Sequence, residues 1–172
     1  GIGWMVGLAG ATLAASKFQT SMADISTLIN PAKDVDGMIQ QMRQHIIELS
    51  QVTPQGMNDL SSALYDIVSS GFDGKEALGA LDVAAKASSA GLTTSATAVT
   101  ALTAAMNAYG PAAFKGTTAT EKFSNISDIM FQGVNVGIFR FDDLTGMLAE
   151  TAGLASNAGI GLKELVGGMA AM

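Results

Sequence analysis

The sequence predicts an all-α domain of about seven or eight short amphipathic helices, joined by tight glycine-containing turns and packed as successive helical hairpins. Three observations predict it. Apolar residues recur three or four apart along nearly the whole chain, as they do on one face of a helix. The period-two alternation of valine and isoleucine that marks a half-buried strand is absent. Glycines and capping residues fall between the periodic stretches, where helices start and stop.

The first element is an apolar, small-residue helix over residues 1–17 that leads into a helical domain over residues 18–172. Gly3, Gly7, Ala11 and Ala15 fall at strict four-residue spacing. Such a stripe lets two helix backbones approach closely, in a protein interior or in lipid. It is the candidate helix-packing and oligomer interface, and a membrane-active helix is the alternative reading. The first sixteen residues carry no charge. They lack the basic leader of a secretory signal and are fewer than the roughly 20 apolar residues that span a bilayer. The missing initiator Met, and a stop at Met172 within an apolar pattern, lead us to expect a segment of a longer chain.

Phe18, Met22, Ile25 and Ile29 give the first full apolar stripe. Val35, Met38, Ile39, Met42, Ile46 and Leu49 give the second, with Gln40, Gln41, Arg43, Gln44 and Glu48 opposite. Leu60, Leu64, Ile67 and Val68 mark a third helix, for which Thr53-Pro54 offers a capping hydroxyl followed by a first-turn proline. The stretch from Ala87 to Phe114 is uncharged and rich in Ala, Ser and Thr, interrupted at Gly91 and Gly110-Pro111. It reads as a helix wedged between others, its surface covered by another copy or by an enclosing partner. Phe123, Ile126, Met130 and Val134 mark a later helix, opened by the capping box Thr118-Ala-Thr-Glu121.

Acidic residues cluster at the expected helix starts, where they complement the positive end of the helix dipole: Asp34 and Asp36, Asp73 and Glu76, Asp142 and Asp143. Gly71, Gly91, Gly110 and Gly159 are the candidate C-cap turns, with Gly137 a further helix end, because a left-handed backbone is easiest for glycine.

Composition excludes several functions. The 172 residues are 48% hydrophobic and 14% charged, with 15 acidic residues against 9 basic and a net charge of −6. A disordered tail would be poorer in apolar residues and richer in charge. Scattered basic residues do not build a duplex-binding surface, so no sequence-specific nucleic-acid binding is expected. With no cysteine, disulfides, thiolate nucleophiles and sulfur-ligated metals are excluded. The single histidine, His45, falls on the polar side of its helix and reads as an exposed surface residue. Asp142-Asp143 read as capping residues, and Gly1, Gly3 and Gly7 have the wrong spacing for a dinucleotide fingerprint. Trp4 is solitary, and the ten methionines at helical spacing read as core filler. We expect no catalytic, cofactor-binding or metal-ligating residue, and hence no enzyme and no cofactor.

The string also resembles a family. Phe18-Gln-Thr-Ser-Met-Ala-Asp-Ile-Ser26, Glu48-Leu-Ser-Gln-Val-Thr53 and Ala63-Leu-Tyr-Asp-Ile-Val-Ser-Ser-Gly71 resemble the core domain of phage tail tape measure proteins. So do Val83-Ala-Ala-Lys-Ala87, Ala90-Gly-Leu-Thr93, Asn107-Ala-Tyr-Gly110, Ser127-Asp-Ile-Met-Phe-Gln132 and Ala158-Gly-Ile-Gly-Leu-Lys-Glu-Leu165. The resemblance covers about residues 18–172, in order. It implies a structural protein of the virion, in the tail lumen or at the tail tip and assembled in the host cytoplasm. It further implies that the protein templates tail tube assembly, sets tail length and aids DNA ejection across the host membrane. The implied partners are sister copies as a homo-oligomer, with three-fold symmetry, the tail tube protein, tail-tip and distal tail proteins, tail assembly chaperones and, after ejection, the host inner membrane. The family's ruler is a long helical stretch, which this glycine-broken segment lacks. The segment therefore reads as a compact domain attached to the ruler. The alternative function is a membrane-inserting or pore-forming helical protein.

Overall fold

The computed structural model describes residues 3–31, 33–72, 74–91, 93–136 and 140–171, with backbone alone for residues 3–12 and 111. Among them are eight α-helices: α1 (Gly3–Leu28), α2 (Val35–Val52), α3 (Met57–Ser69), α4 (Gly74–Gly91), α5 (Ser95–Tyr109), α6 (Ala119–Val136), α7 (Phe141–Asn157) and α8 (Leu162–Ala170). A single 3-10 turn, Pro111–Ala113, follows α5, and the described residues contain no strand. α1 runs unbroken across residue 17, and Phe18 is the first buried residue among its described side chains.

The apolar stripes are the buried faces. Phe18, Met22, Ile25 and Ile29 of α1 and its end are all below one-tenth exposed, and Met42 and Ile46 lie at the centre of the α2 stripe. Leu60, Ala63, Leu64, Ile67 and Val68 of α3 point inward, as do Phe123, Ile126 and Met130 of α6. Met22, Met42, Met106, Met130 and Met169 are buried in the core, where a flexible thioether fills irregular gaps. Arg43, expected on the polar face, instead lays its guanidinium over the Phe18 ring, 5.7 Å from the centroid. Its aliphatic stem and flat head suit that position.

Contacts between neighbours in sequence, such as α3 with α4 and α4 with α5, form the expected hairpins. The two most extensive contacts, however, join helices two apart, α5 to α7 and α1 to α3, and the same spacing recurs from α3 to α5 in that layer and from α4 to α6 and α6 to α8 in the other. Each hairpin therefore stacks on the next. A helical repeat in the sequence marks which face is buried but not which helix buries it.

α5 sits at the centre of this stack, against α3, α4, α6 and α7. Ser95, Ala98, Val99, Ala101, Leu102, Ala105 and Met106 are buried. This corrects the expectation that another copy or an enclosing partner covers the uncharged stretch: its own chain covers it. Small side chains make that possible, since Ala77, Ala80, Ala84, Ala85 and Ala87 of α4 face inward too. The buried hydroxyls of Ser88 and Thr145 are satisfied locally, whereas Thr103 Oγ1 and Tyr109 Oη are buried without a partner. Ser88 Oγ donates to the Ala85 carbonyl at 3.0 Å and lies 3.2 Å from Ser95 Oγ, and Thr145 donates to the Phe141 carbonyl.

The turns depart from the sequence expectation at two places. α3 and α7 both end with a left-handed glycine, Gly71 at φ +97° and Gly159 at φ +77°. In each, the next residue's N–H reaches back to a carbonyl five residues earlier, Phe72 to Ile67 and Ile160 to Ala155, the Schellman arrangement. Gly110 has φ +76° and ψ 154°, a region open essentially to glycine alone, and its extended ψ is what the following Pro111 requires. Gly91 differs. It is the last residue of α4 and has no left-handed φ. The reaching-back bond runs from Thr93 to Ser88, which sets Gly91 one position earlier in the motif than Gly71 or Gly159. The second correction is Thr53-Pro54. Thr53 ends α2 rather than opening α3, with φ −125° and ψ 158°, because proline forces the preceding residue out of the helical region. α3 starts later, after Gly56.

Candidate functional site

His45 is half-buried rather than exposed, and its Nε2 donates to Asp82 Oδ1 of α4 at 2.7 Å. The bond ties α2 to α4. Around it Gln40, Gln41, Gln44, Glu48 and Leu78 line a shallow open depression. No nucleophile stands beside this histidine among the residues that line it, so the pair acts as a cross-helix tie. Nothing in the α2 stripe pointed to Asp82, 37 residues away.

The two neighbouring carboxylates of α7 part company. Asp142 accepts a hydrogen bond from Thr93 Oγ1 in the α4–α5 turn. Asp143 accepts from the Arg140 N–H at 3.0 Å, closing the first turn of α7. Glu121 is likewise committed to its own helix start. Its Oε2 accepts from the Thr117 and Thr118 N–H groups at 2.6 and 3.1 Å, and its own N–H donates to Thr118 Oγ1 at 3.2 Å. Both halves of the capping box are thus made. The hydrogen bonds from Thr118 and Thr117 hold the Glu121 carboxyl below its ordinary range.

Asp34 caps α2 through the Gly37 N–H at 3.0 Å, and Asp36 and Glu76 lie in first turns. Asp73 and Gly137 lie outside the described residues. Asp59 was not marked by the sequence: both of its carboxylate oxygens accept from the Ser95 N–H, at 3.1 and 2.9 Å. A carboxylate from the start of α3 thereby caps the central helix. Asp66, also on α3, faces a small cleft lined by Ser69, Ser70, Thr100 and Thr103. Partial burial pushes its carboxyl above the ordinary range. Among the described residues no group of three His, Cys, Asp or Glu could hold a metal ion, and no helix is long and apolar enough to cross a membrane.

Of the small stripe, Gly3, Gly7 and Ala11 lie on α1, but what surrounds them lies outside the described residues, as does the Trp4 side chain. Ala15 is exposed, and Leu13 beside it is 64% exposed. Close helix approach is seen at other glycines. A Cβ on Gly133 of α6 would lie 2.2 Å from Val166 Cγ1 of α8, and one on Gly79 of α4 would lie 2.3 Å from Thr120 Oγ1. A glycine inside a helical pattern was the available signal for such contacts. The architecture is thus a set of capped, cross-tied helices in which the polar groups hold helix to helix.

The chain matches the family model described as phage-related minor tail protein over residues 43–172, from within α2 to the end. It is also similar to a protein of Clostridium phage phiCD119 described as "Probable tape measure protein", with 31% identity over 160 residues. That alignment takes in 91% of this chain but 16% of the phage protein, so the chain spans about one-sixth of that relative's length. No solved structure matches the chain at a significant level. The stacked helices and the matched residues lead to one conclusion: the chain belongs to the phage-related minor tail proteins, structural components of phage tails, as a domain related to the tape measure proteins.

Proposed function

We propose that this chain is the compact helical unit of a tail tape measure protein, attached to a separate ruler and serving tail assembly and DNA ejection. One observation carries the reading: the family match runs over a folded stack of short helices. At 1.5 Å per residue, a ruler of 172 residues would extend about 258 Å as one helix. The longest helix among the described residues has 26 residues, about 39 Å. In this reading the unit meets the tail tube protein, tail-tip and distal tail proteins and tail assembly chaperones. It associates with sister copies through the α1 stripe of Gly3, Gly7, Ala11 and Ala15, and it reaches the host inner membrane after ejection. The whole protein templates the tube and sets its length, and this unit has no catalytic part in that work.

Tail length tests the proposal. Deleting this unit from the full tape measure reading frame should abolish tails or leave their length unchanged in negative-stain micrographs. Tails shortened by about 258 Å would make the unit part of the ruler and defeat the reading. Gly7→Leu should lower the oligomer mass measured by light scattering, because bulk has no room at a close helix contact. An unchanged mass removes the stripe from the proposal.

The uncharged start of α1 favours one further reading, insertion into a lipid bilayer. Leakage of dye from anionic liposomes that depends on Gly3 and Gly7 would support it. Liposomes left intact by the chain would exclude it.

A further inference from the structure

Glycines inside the helices are of two kinds. At Gly37, Gly79, Gly91 and Gly133, in α2, α4 and α6, an added Cβ would come closer than 3.0 Å to a neighbouring side chain. Capping or close packing accounts for each. At Gly146 and Gly153 of α7 and at Gly167 and Gly168 of α8, nothing lies within 4 Å of such a Cβ, and none has a left-handed φ. A helical glycine with room for a side chain weakens the helix for no steric return.

Two of these glycines are adjacent in α8, which has only nine residues. A helix so short is held by its packed face rather than by itself. That face consists of Leu162, Val166 and Met169, docked mainly on α6. The docking is incomplete. A groove of about 170 Å³, partly open to solvent, remains between the two helices, lined by Ile129, Gln132, Gly133 and Val136 of α6 and by Lys163, Val166, Gly167 and Ala170 of α8. The connection to α7 is Ala158-Gly159-Ile160-Gly161, all exposed. A Cβ at Gly159 would meet nothing, and one at Gly161 would meet only Glu164 Oε2 at 3.8 Å.

From these three features we propose that α8 is a latch. It undocks from α6 and unwinds in a local opening that pivots at Gly159–Gly161, while α3, α4 and α5 stay folded. The opening uncovers the α6 surface around Gly133. Local openings of this kind draw on elements with few buried contacts and low intrinsic stability.

Native-state hydrogen exchange on the whole chain tests the latch. Amides of Leu165–Ala170 should be protected about 100-fold less than those of Ala98–Met106 in α5. G167A/G168A should raise protection in α8 by about five-fold per glycine, about 25-fold together, and leave α5 unchanged. Gly133→Ala should do the reverse. Its Cβ would meet Val166 Cγ1 at 2.2 Å, so α8 should lose protection while α5 keeps it. Equal protection of α8 and α5 in the unaltered chain would overturn the proposal. So would a Gly133→Ala chain that loses protection uniformly, since α8 would then be integral to the core. Should Gly133→Ala fail to fold, G167A/G168A still decides: unchanged α8 protection counts against the latch.

Discussion

Gly91, the last residue of α4, faces Phe141, the first residue of α7, so closely that a Cβ at position 91 would lie 2.9 Å from both Cβ and Cγ of the phenylalanine. Phe141 is 1% exposed and stacks on Phe131 with ring centroids 5.2 Å apart. Two residues on from Gly91, Thr93 donates to Asp142. The α4–α5 turn is thereby seated on the start of α7, and the glycine is there for clearance.

Clearance and left-handed backbone predict different mutants. Gly91→Ala should destabilise the fold by about 1–3 kcal/mol through overpacking, lowering Tm by about 2–4 °C per kcal/mol for a chain of this size. The loss should shrink but not vanish in a Phe141→Ala background, because the ring is gone while the Cβ remains. A double-mutant cycle by chemical denaturation measures this coupling, and additive effects would show that the ring is not the obstacle.

Asp59 predicts a specific loss at the central helix. Asp59→Ala removes the acceptor for the Ser95 N–H and should cost about 0.5–2 kcal/mol, the usual range for a lost helix cap. Asp59→Asn keeps an oxygen in place and should recover most of it. Urea unfolding midpoints of the three chains decide, and equal midpoints would mean that the cap contributes nothing.

Glu121 and Asp66 predict opposite pH dependences. The folded Glu121 carboxyl is held below its ordinary value of 4.5. The unfolded chain therefore binds more protons in that range, and stability rises with pH. The contribution is fully present above the unfolded value and is lost as pH falls through the folded one. Glu121→Gln should then be less stable than the native chain at pH 7, and the gap should close on acidification. A gap that stays constant with pH would remove the carboxylate from the explanation.

Asp66 works the other way. Burial raises its folded value above 3.8, so the charged form is disfavoured in the fold and the penalty is present at neutral pH. Asp66→Asn should be at least as stable as the native chain at pH 7 and should lose any advantage below the unfolded carboxylate value. Thermal melts at pH 7 and pH 3 read both carboxylates. An Asp66→Asn chain that melts lower at pH 7 would show that the carboxylate has a favourable partner in solution.

His45 predicts a tie rather than a catalyst. His45→Ala and Asp82→Ala should each cost about 0.5–1.5 kcal/mol, the net worth of one hydrogen bond. Their double mutant should cost less than the sum. Strict additivity in denaturant would mean that the 2.7 Å contact contributes no stability.

The sequence alone determined the helical class, the stripes of α1, α2, α3 and α6, the Thr118–Glu121 capping box and the kinship with tape measure proteins. These are local features. A 3.6-residue period, a cap three residues from its partner and an ordered set of short phrases are all readable along a line. Tertiary structure decided the stacking of hairpins two helices apart, the covering of α5 by its own chain, the His45–Asp82 and Asp59–Ser95 ties, and the clearance at Gly91. The two ties and the Gly91 clearance depend on residues brought together across 36 or more positions. An apolar face reports that it will be buried but carries no address for the helix that buries it. The Gly91 turn shows the limit most plainly. Ser89-Ala-Gly91-Leu resembles Asn157-Ala-Gly159-Ile as text, yet one glycine makes room for a ring while the other adopts a left-handed backbone, and only the position of Phe141 separates the two.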